Sequence, residues 1–212
     1  MAAFKGDALK ITTRIFQNNL IESVLIDSEI INKINKLNNP PPTMLNAGDV
    51  LIRKCRLAGS LLDSYKGKFR ESFLPELLQM VNGIPLLVGH QKNSAPIGRF
   101  FGGSIIKENI HLSDRLEQAS FIEPFFYWPE GISYSRDLRI LIDAGIYNEA
   151  SLSFVYNRPS CSFCGKDIRG CPHAKNLWSD DPEYFFYYDD VKTVLEGSIV
   201  FRGAEPGTGF GL

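Results

Sequence analysis

The stretch VLEGSIVF, residues 194–201, predicts a strand in the core of a mainly β domain. Side chains on successive strand residues point to opposite faces of a sheet. The apolar face is predicted to consist of Leu195, Ile199 and Phe201. The opposite face is predicted to hold Glu196, Ser198 and Val200. The ordinary explanation for a lone glutamate in an apolar strand is an ion pair with a lysine or an arginine.

Further strands are predicted upstream of this one, at residues 50–59, 84–89, 97–106 and 151–156. In the last of them, alternation directs Leu152, Phe154 and Tyr156 towards the core and Ser151, Ser153 and Val155 away from it. Helices are predicted at residues 73–81 and 135–145, with Gly145 as the C-cap of the second. Few strands alternate with long helices, which disfavours a doubly wound parallel sheet. The sequence therefore predicts an α+β, mainly β domain, a β-barrel or sandwich with flanking helices.

The run NNPPPT at residues 38–43 separates an N-terminal extension, residues 1–43, from a main domain, residues 44–212. Consecutive prolines neither continue a helix nor donate to a sheet. The extension contains an alternating stretch from Leu9 to Phe16 and a predicted helix that begins at Asp27 or Ser28. The extension is either a docking arm, or a segment that is removable or only packs on the domain. The sequence leaves both interpretations open.

Charge and hydropathy restrict the partners that we expect. The 212 residues include 23 basic and 24 acidic side chains, whereas a nucleic-acid binder usually shows a basic excess. No apolar run approaches the ~18 residues that span a bilayer, and the first residues lack the apolar core of a signal peptide. We therefore expect no nucleic acid, no membrane and a reducing cytosol, where clustered cysteines more often bind metal than form disulfides.

The segment CSFCGKDIRGCPH, residues 161–173, has the spacing of a metal site within an insertion at about residues 158–180. Its predicted ligands are Cys161, Cys164, Cys171 and His173. Three thiolates and one imidazole complete a tetrahedral Zn²⁺ shell and leave no position for a water nucleophile, which indicates a structural site. Free thiols or a disulfide are the alternative. A nucleic-acid-binding finger would need a basic helix next, but the following residues are acidic and aromatic. Cys55 lies alone in a strand and is predicted to be a small core residue.

Three motifs in a fixed order give the chain its family resemblance. The first is His90 followed by Pro-Ile-Gly at residues 96–98. The second is Ser-Leu-Ser-Phe at residues 151–154, and the third is Glu-Gly-Ser-Ile-Val at residues 196–200, followed by Gly-Ala-Glu-Pro at residues 203–206. With the Cys-Pro-His insertion between the last two, they resemble the prohead (capsid-maturation) serine proteases of tailed phages, a family distantly related to herpesvirus assemblin. The resemblance covers about residues 48–208.

The resemblance implies an assemblin-like β-barrel and a serine endopeptidase. Ser151 would be the nucleophile, His90 the general base and Glu196 the group that orients the imidazole. The backbone amides of Arg202 and Gly203 are candidate oxyanion donors. Of the other histidines, His111 is predicted to be a surface residue. His173 is an alternative catalytic histidine only if it binds no metal.

The resemblance also implies partners and a location. The substrates would be the major capsid protein and the scaffold protein of a virus, cut within the immature capsid in the host cytoplasm. The resemblance also implies that the protease can form a homodimer. Two residues depart from the family pattern: Ser153 replaces the usual glycine, and Gln91 replaces the usual acidic residue after the histidine. The alternative is therefore a catalytically silent virion protein with the same fold.

Overall fold

The computed structural model describes residues 28–112, 115–179 and 181–210. The helices are α1 (Ser28–Asn35), α2 (Leu74–Val81) and α3 (Ser135–Asp143). The strands are β1 (Val50–Lys54), β2 (Ala58–Gly59), β3 (Gly67–Lys68), β4 (Pro85–Val88), β5 (Gly98–His111), β6 (Leu116–Pro129), β7 (Glu149–Cys161) and β8 (Phe186–Val200). Short 3-10 helices cover Ala47–Asp49, Glu71–Phe73, Ile168–Gly170 and Pro172–Asn176. The predicted stretch from Leu9 to Phe16 lies outside the described residues.

The strands form one open sheet in the order β1-β6-β5-β4-β8-β3, with β2 also paired to β6 and β7 to β8. The strand β8 pairs in parallel with β3 near its start and with β4 near its end, and antiparallel with β7 along the opposite edge. The α+β, mainly β class is confirmed. The barrel is not, because among the described residues no strand joins the outer edge of β7 to β1 and closes the sheet.

The main core lies where α2 and α3 cover the sheet. The helix α2 buries Leu74, Leu77 and Val81, which are spaced to share one helical face. The helix α3 is held to β6 by a hydrogen bond from Trp128 Nε1 to Ser135 Oγ at 3.1 Å. The three predicted helices are confirmed. Gly145 follows α3 with φ of 68°, a left-handed conformation that suits a C-cap glycine.

The helix α1 packs on a second, smaller cluster. Its residues Ile31 and Ile34 are buried with Val50, Ile52, Phe101 and Tyr127. The Asn35 side chain accepts from Leu45 N and donates to Leu45 O, both at 3.0 Å, and so closes the proline-containing loop. Residues 28–45 are thus packed against the sheet, and the division of the chain at residue 43 stays a prediction.

The prediction of which side chains face the core succeeds for β7 and fails in part for β8. Leu152, Phe154 and Tyr156 pack against the main core, and Cys55 is buried in it, as predicted. The predicted apolar face of β8 is wrong in part: Ile199 is buried, but Leu195 is exposed and Phe201 is 92% exposed. The opposite face, which carries Glu196 and Ser198, is buried as well. His111 at the end of β5 is exposed, as predicted.

Candidate active site and metal centre

His90 lies in a tight turn directly after β4. Gly89 and His90 both have left-handed backbones, with φ of 61° and 57°, and Gln91 N donates to Val88 O at 3.3 Å across the turn. Positive φ at both central residues is the pattern of a type I′ turn. Glycine adopts it freely, but a left-handed histidine costs about 1–2 kcal/mol. A hydrogen bond from His90 N to Ser198 Oγ at 3.0 Å stabilises this strained backbone conformation.

The imidazole of His90 is paired with the carboxylate of Glu196. His90 Nδ1 lies 2.6 Å from Glu196 Oε1, and Ser198 Oγ donates to Glu196 Oε2 at 2.7 Å. Glu196 is 2% exposed. Burial alone would raise the pKa of Glu196, but the hydrogen bonds from His90 and Ser198 outweigh it and lower this pKa below its ordinary value. Glu196 is therefore ionised at neutral pH, and Nε2 is the ring nitrogen of His90 that remains for proton transfer.

Ser151 lies on β7 directly opposite Ser198 on β8. Ser151 and His90 line the same cavity, whose volume is about 1350 Å³. Within the described part of the chain, the hydrogen bonds of the His90 side chain and amide run to Glu196 and Ser198, and Ser151 takes no part in them. Catalytic hydrogen bonds are often long in ligand-free enzymes and shorten when substrate binds. The structure thus brings the three predicted residues to one place, and their catalytic roles stay predictions.

The oxyanion candidates Arg202 and Gly203 follow β8 and line this cavity. Gly203 packs so closely on β7 that a Cβ there would lie 2.8 Å from Ala150 O and 2.4 Å from Thr208 Oγ1. Only glycine fits such an approach. Its N–H donates to Glu149 Oε2 at 2.6 Å.

Sequence reasoning missed three carboxylates around the cavity, namely Asp63, Glu149 and Glu205. Glu205 is partly exposed as a residue, but its carboxyl group is enclosed and accepts from Gly59 N at 2.6 Å and Leu61 N at 2.8 Å. Burial raises the pKa of Glu205 to about 8, although the two amides oppose this rise. No local pattern marks Glu149 and Glu205, because each accepts from backbone amides that only tertiary packing brings near. Asp63 forms local turn bonds, and only packing brings it to Tyr188.

Asp63 lies in an aromatic part of the cavity lining, beside Tyr188. Its Oδ2 accepts from the Tyr188 hydroxyl at 2.6 Å, and its Oδ1 accepts from the amides of Tyr65 and Gly67 at 2.8 and 2.9 Å. Burial raises the pKa of Asp63 and outweighs these hydrogen bonds. Tyr156 stacks edge-on against Tyr188 at 4.9 Å between ring centroids. This part of the cavity is therefore aromatic and acidic.

The predicted metal ligands form one cluster at the opposite end of the β7–β8 pair. The ligand atoms of Cys161, Cys164, Cys171 and His173 all lie within 4.8 Å of one another. Cys161 Sγ lies 3.6 Å from His173 Nδ1, and Cys171 Sγ lies 3.9 Å from it. Metal–ligand bonds of 2.0–2.3 Å in a tetrahedron place the ligand atoms about 3.5–3.8 Å apart. The four residues therefore fit a single metal ion.

The environment of Cys161 also suits a metal ligand. Burial opposes ionisation of its thiol, but the amides of Cys164 and Phe163 and the neighbouring thiols outweigh burial and lower its pKa to about 7. Cys161 pairs with Phe186, whereas Ser151 pairs with Ser198 near the other end of the same ladder. Ten residues of strand, at most about 33 Å, separate Cys161 from Ser151. The cluster is thus remote from Ser151, although the cavity extends along the strands as far as Tyr188.

Comparison of the chain with protein-family models, with curated proteins and with solved structures found no match. In the described part of the chain, no helix is long and apolar enough to cross a membrane.

Proposed function

We propose that this protein is a serine endopeptidase that cleaves scaffold and major capsid protein segments, and its own chain, during the maturation of an immature viral capsid. The observation that carries the peptidase proposal is the hydrogen-bonded pair of His90 and Glu196 beside Ser151. The viral role, and the location inside the capsid in the host cytoplasm, rest on the resemblance of the three motifs to prohead proteases.

The proposed reaction begins when Ser151 Oγ attacks the scissile carbonyl carbon. A serine hydroxyl is too weak an acid to do this unaided, so His90 Nε2 takes its proton. Glu196 accepts from Nδ1–H and stabilises the imidazolium that forms. His90 then gives the proton to the leaving amine, and water hydrolyses the acyl-enzyme in the reverse sequence. The oxyanion would be met by the amide of Gly203, with that of Arg202 beside it.

We further propose that the metal is Zn²⁺ with a structural role. Three thiolates and one imidazole occupy all four tetrahedral positions, which is the arrangement of structural rather than catalytic zinc. Bound metal would fix the loop that joins β7 to β8 and so keep Ser151 and Glu196 in register.

The second candidate is a catalytically silent virion protein with the same fold. It is favoured by the hydrogen bonds of His90, which do not include Ser151, and by the unusual residues Ser153 and Gln91. In that case the cavity would be a remnant. The protein would then be present at stoichiometric copy number in mature particles.

The deciding experiment co-expresses the chain with capsid and scaffold proteins and follows their cleavage on gels. Ser151→Ala is expected to abolish cleavage while the protein remains folded by circular dichroism. Ser153→Ala is the matched control and is expected to retain cleavage. Cleavage that persists in Ser151→Ala would refute the proposal, and labelling of Ser151 by a fluorophosphonate probe would exclude the silent alternative.

A further inference from the structure

The candidate oxyanion donor is already engaged by a side chain of the protein itself. Gly203 N–H donates to Glu149 Oε2 at 2.6 Å. A bond between an amide and an ionised carboxylate is roughly twice as strong as a bond between neutral groups. A carboxylate oxygen carries part of the negative charge that an oxyanion would carry at the same donor.

The geometry places this contact beside the proposed nucleophile. Glu149 and Ser151 are two residues apart on β7, so their side chains point to the same face of the strand, and both line the cavity. Gly203 lies against the carbonyl of Ala150, the residue between them. The amide that Glu149 occupies is therefore within reach of a carbonyl group attacked by Ser151.

We propose that Glu149 is an autoinhibitory residue, whose carboxylate competes with the substrate oxyanion for the Gly203 amide. This inference rests on the proposed function. In the resting state the Glu149 carboxylate accepts the hydrogen bond of the Gly203 amide. Its charge also repels the negative charge that develops on the substrate oxyanion at the same place. Turnover then requires the bound substrate to displace Glu149 into the cavity. Glu149 is only partly buried, so a displaced carboxylate can be solvated.

The contact is not needed to hold the loop of residues 201–208 in place. Elsewhere the loop is anchored by the Glu205 carboxyl group, whose oxygens accept from the amides of Gly59 and Leu61. A backbone hydrogen bond from Ser64 N to Ala204 O at 2.8 Å anchors it again. Loss of the Glu149 carboxylate is therefore expected to free the Gly203 amide without releasing the loop.

The experiment measures how fast a fluorophosphonate phosphonylates Ser151. In this reaction Ser151 Oγ bonds to phosphorus, fluoride leaves, and the phosphoryl oxygen takes the oxyanion position. Glu149→Ala is expected to react about tenfold faster than the wild type, because the substitution removes a charge-assisted hydrogen bond that competes for the Gly203 amide. Glu149→Gln, which keeps the shape of the side chain, is expected to react faster by a smaller factor. Glu76→Gln on the exposed face of α2 is the control for the charge change and is expected to match the wild type.

The Gly203 amide resonance in ¹⁵N–¹H NMR spectra tests the contact without activity. It is expected to shift upfield in both Glu149 variants, because a short bond to a carboxylate deshields the amide proton. An unshifted resonance would show that the contact is absent and overturn the inference. Equal or slower labelling of folded variants would overturn it and leave the peptidase proposal standing. If Ser151 is labelled in none of the proteins, the peptidase proposal falls, and the regulation falls with it.

Discussion

Replacement of Ser198 by alanine removes the hydroxyl that joins the two halves of the His90–Glu196 pair. Ser198 is 1% exposed, donates to Glu196 Oε2 at 2.7 Å and accepts from His90 N at 3.0 Å. A hydrogen bond to a charged group contributes about 1.5–3 kcal/mol, and an unpaired buried amide costs about 1 kcal/mol or more. We therefore expect Ser198→Ala to lower the free energy of unfolding by about 2–4 kcal/mol.

The same change should alter how stability depends on pH. The pKa of Glu196 in the folded protein lies below its ordinary value of 4.5. Its stabilising contribution is therefore complete above pH 4.5 and is lost as the pH falls through the folded-state pKa. Without the Ser198 hydrogen bond the folded-state pKa rises towards the ordinary value. The variant should then lose less stability than the wild type as the pH falls below 4.5, so that the difference in stability between the two proteins narrows in acid.

Two measurements separate this role from ordinary packing. Urea unfolding from pH 3 to 8 gives the stability and its acid limb, and the midpoint should fall with little change in the slope m. Proton NMR follows the Nδ1–H resonance of His90, which should move upfield when the carboxylate pair loosens. Ser153→Ala, at a partly exposed position on β7, is the control and should change stability by less than about 0.5 kcal/mol.

The reasoning about Ser198 would be refuted by a stability loss that leaves both the acid limb and the Nδ1–H resonance unchanged. Such a result would mean that the hydroxyl only fills space. A loss equal to that of Ser153→Ala would refute the energy estimate as well.

The remaining predictions concern the metal cluster and the enclosed carboxyl group. Cys164→Ser should lose bound metal, measured by elemental analysis. It should also lower the Tm, because metal binding supplies folding free energy to the loop. Full stability in the metal-free variant would contradict this prediction. Glu205 has a folded-state pKa of about 8, above its ordinary value of 4.5, so stability should fall as the pH rises from 4.5 to 8. Glu205→Gln should reduce this fall in stability, measured from urea midpoints at pH 5 and 8. If the fall is unchanged in the variant, it is caused by another titrating group.

Local patterns predicted much of the secondary structure. The helix at residues 135–145 followed from the spacing of Leu138, Leu141 and Ile142, and α3 occupies Ser135–Asp143. The predicted alternation of β7 also held, because Leu152, Phe154 and Tyr156 all pack against the main core. Of the predicted apolar face of β8, only Ile199 is buried. Leu195 and Phe201, which follows the strand, are apolar but exposed, and the polar pair Glu196 and Ser198 is buried.

The sequence by itself predicted the helices, all or part of six strands and the four-residue cluster of possible metal ligands, because periodicity and close spacing are properties of neighbouring residues. It did not predict β3 or β6. Only the tertiary structure decided that the sheet stays open, since closure depends on which strand edges meet. It also decided that Glu196 pairs with His90 rather than with a lysine or an arginine, and that Glu149 occupies the Gly203 amide. These contacts join residues 106 and 54 positions apart. Strand register and loop packing bring such groups within 2.6 Å, and no local pattern encodes that register.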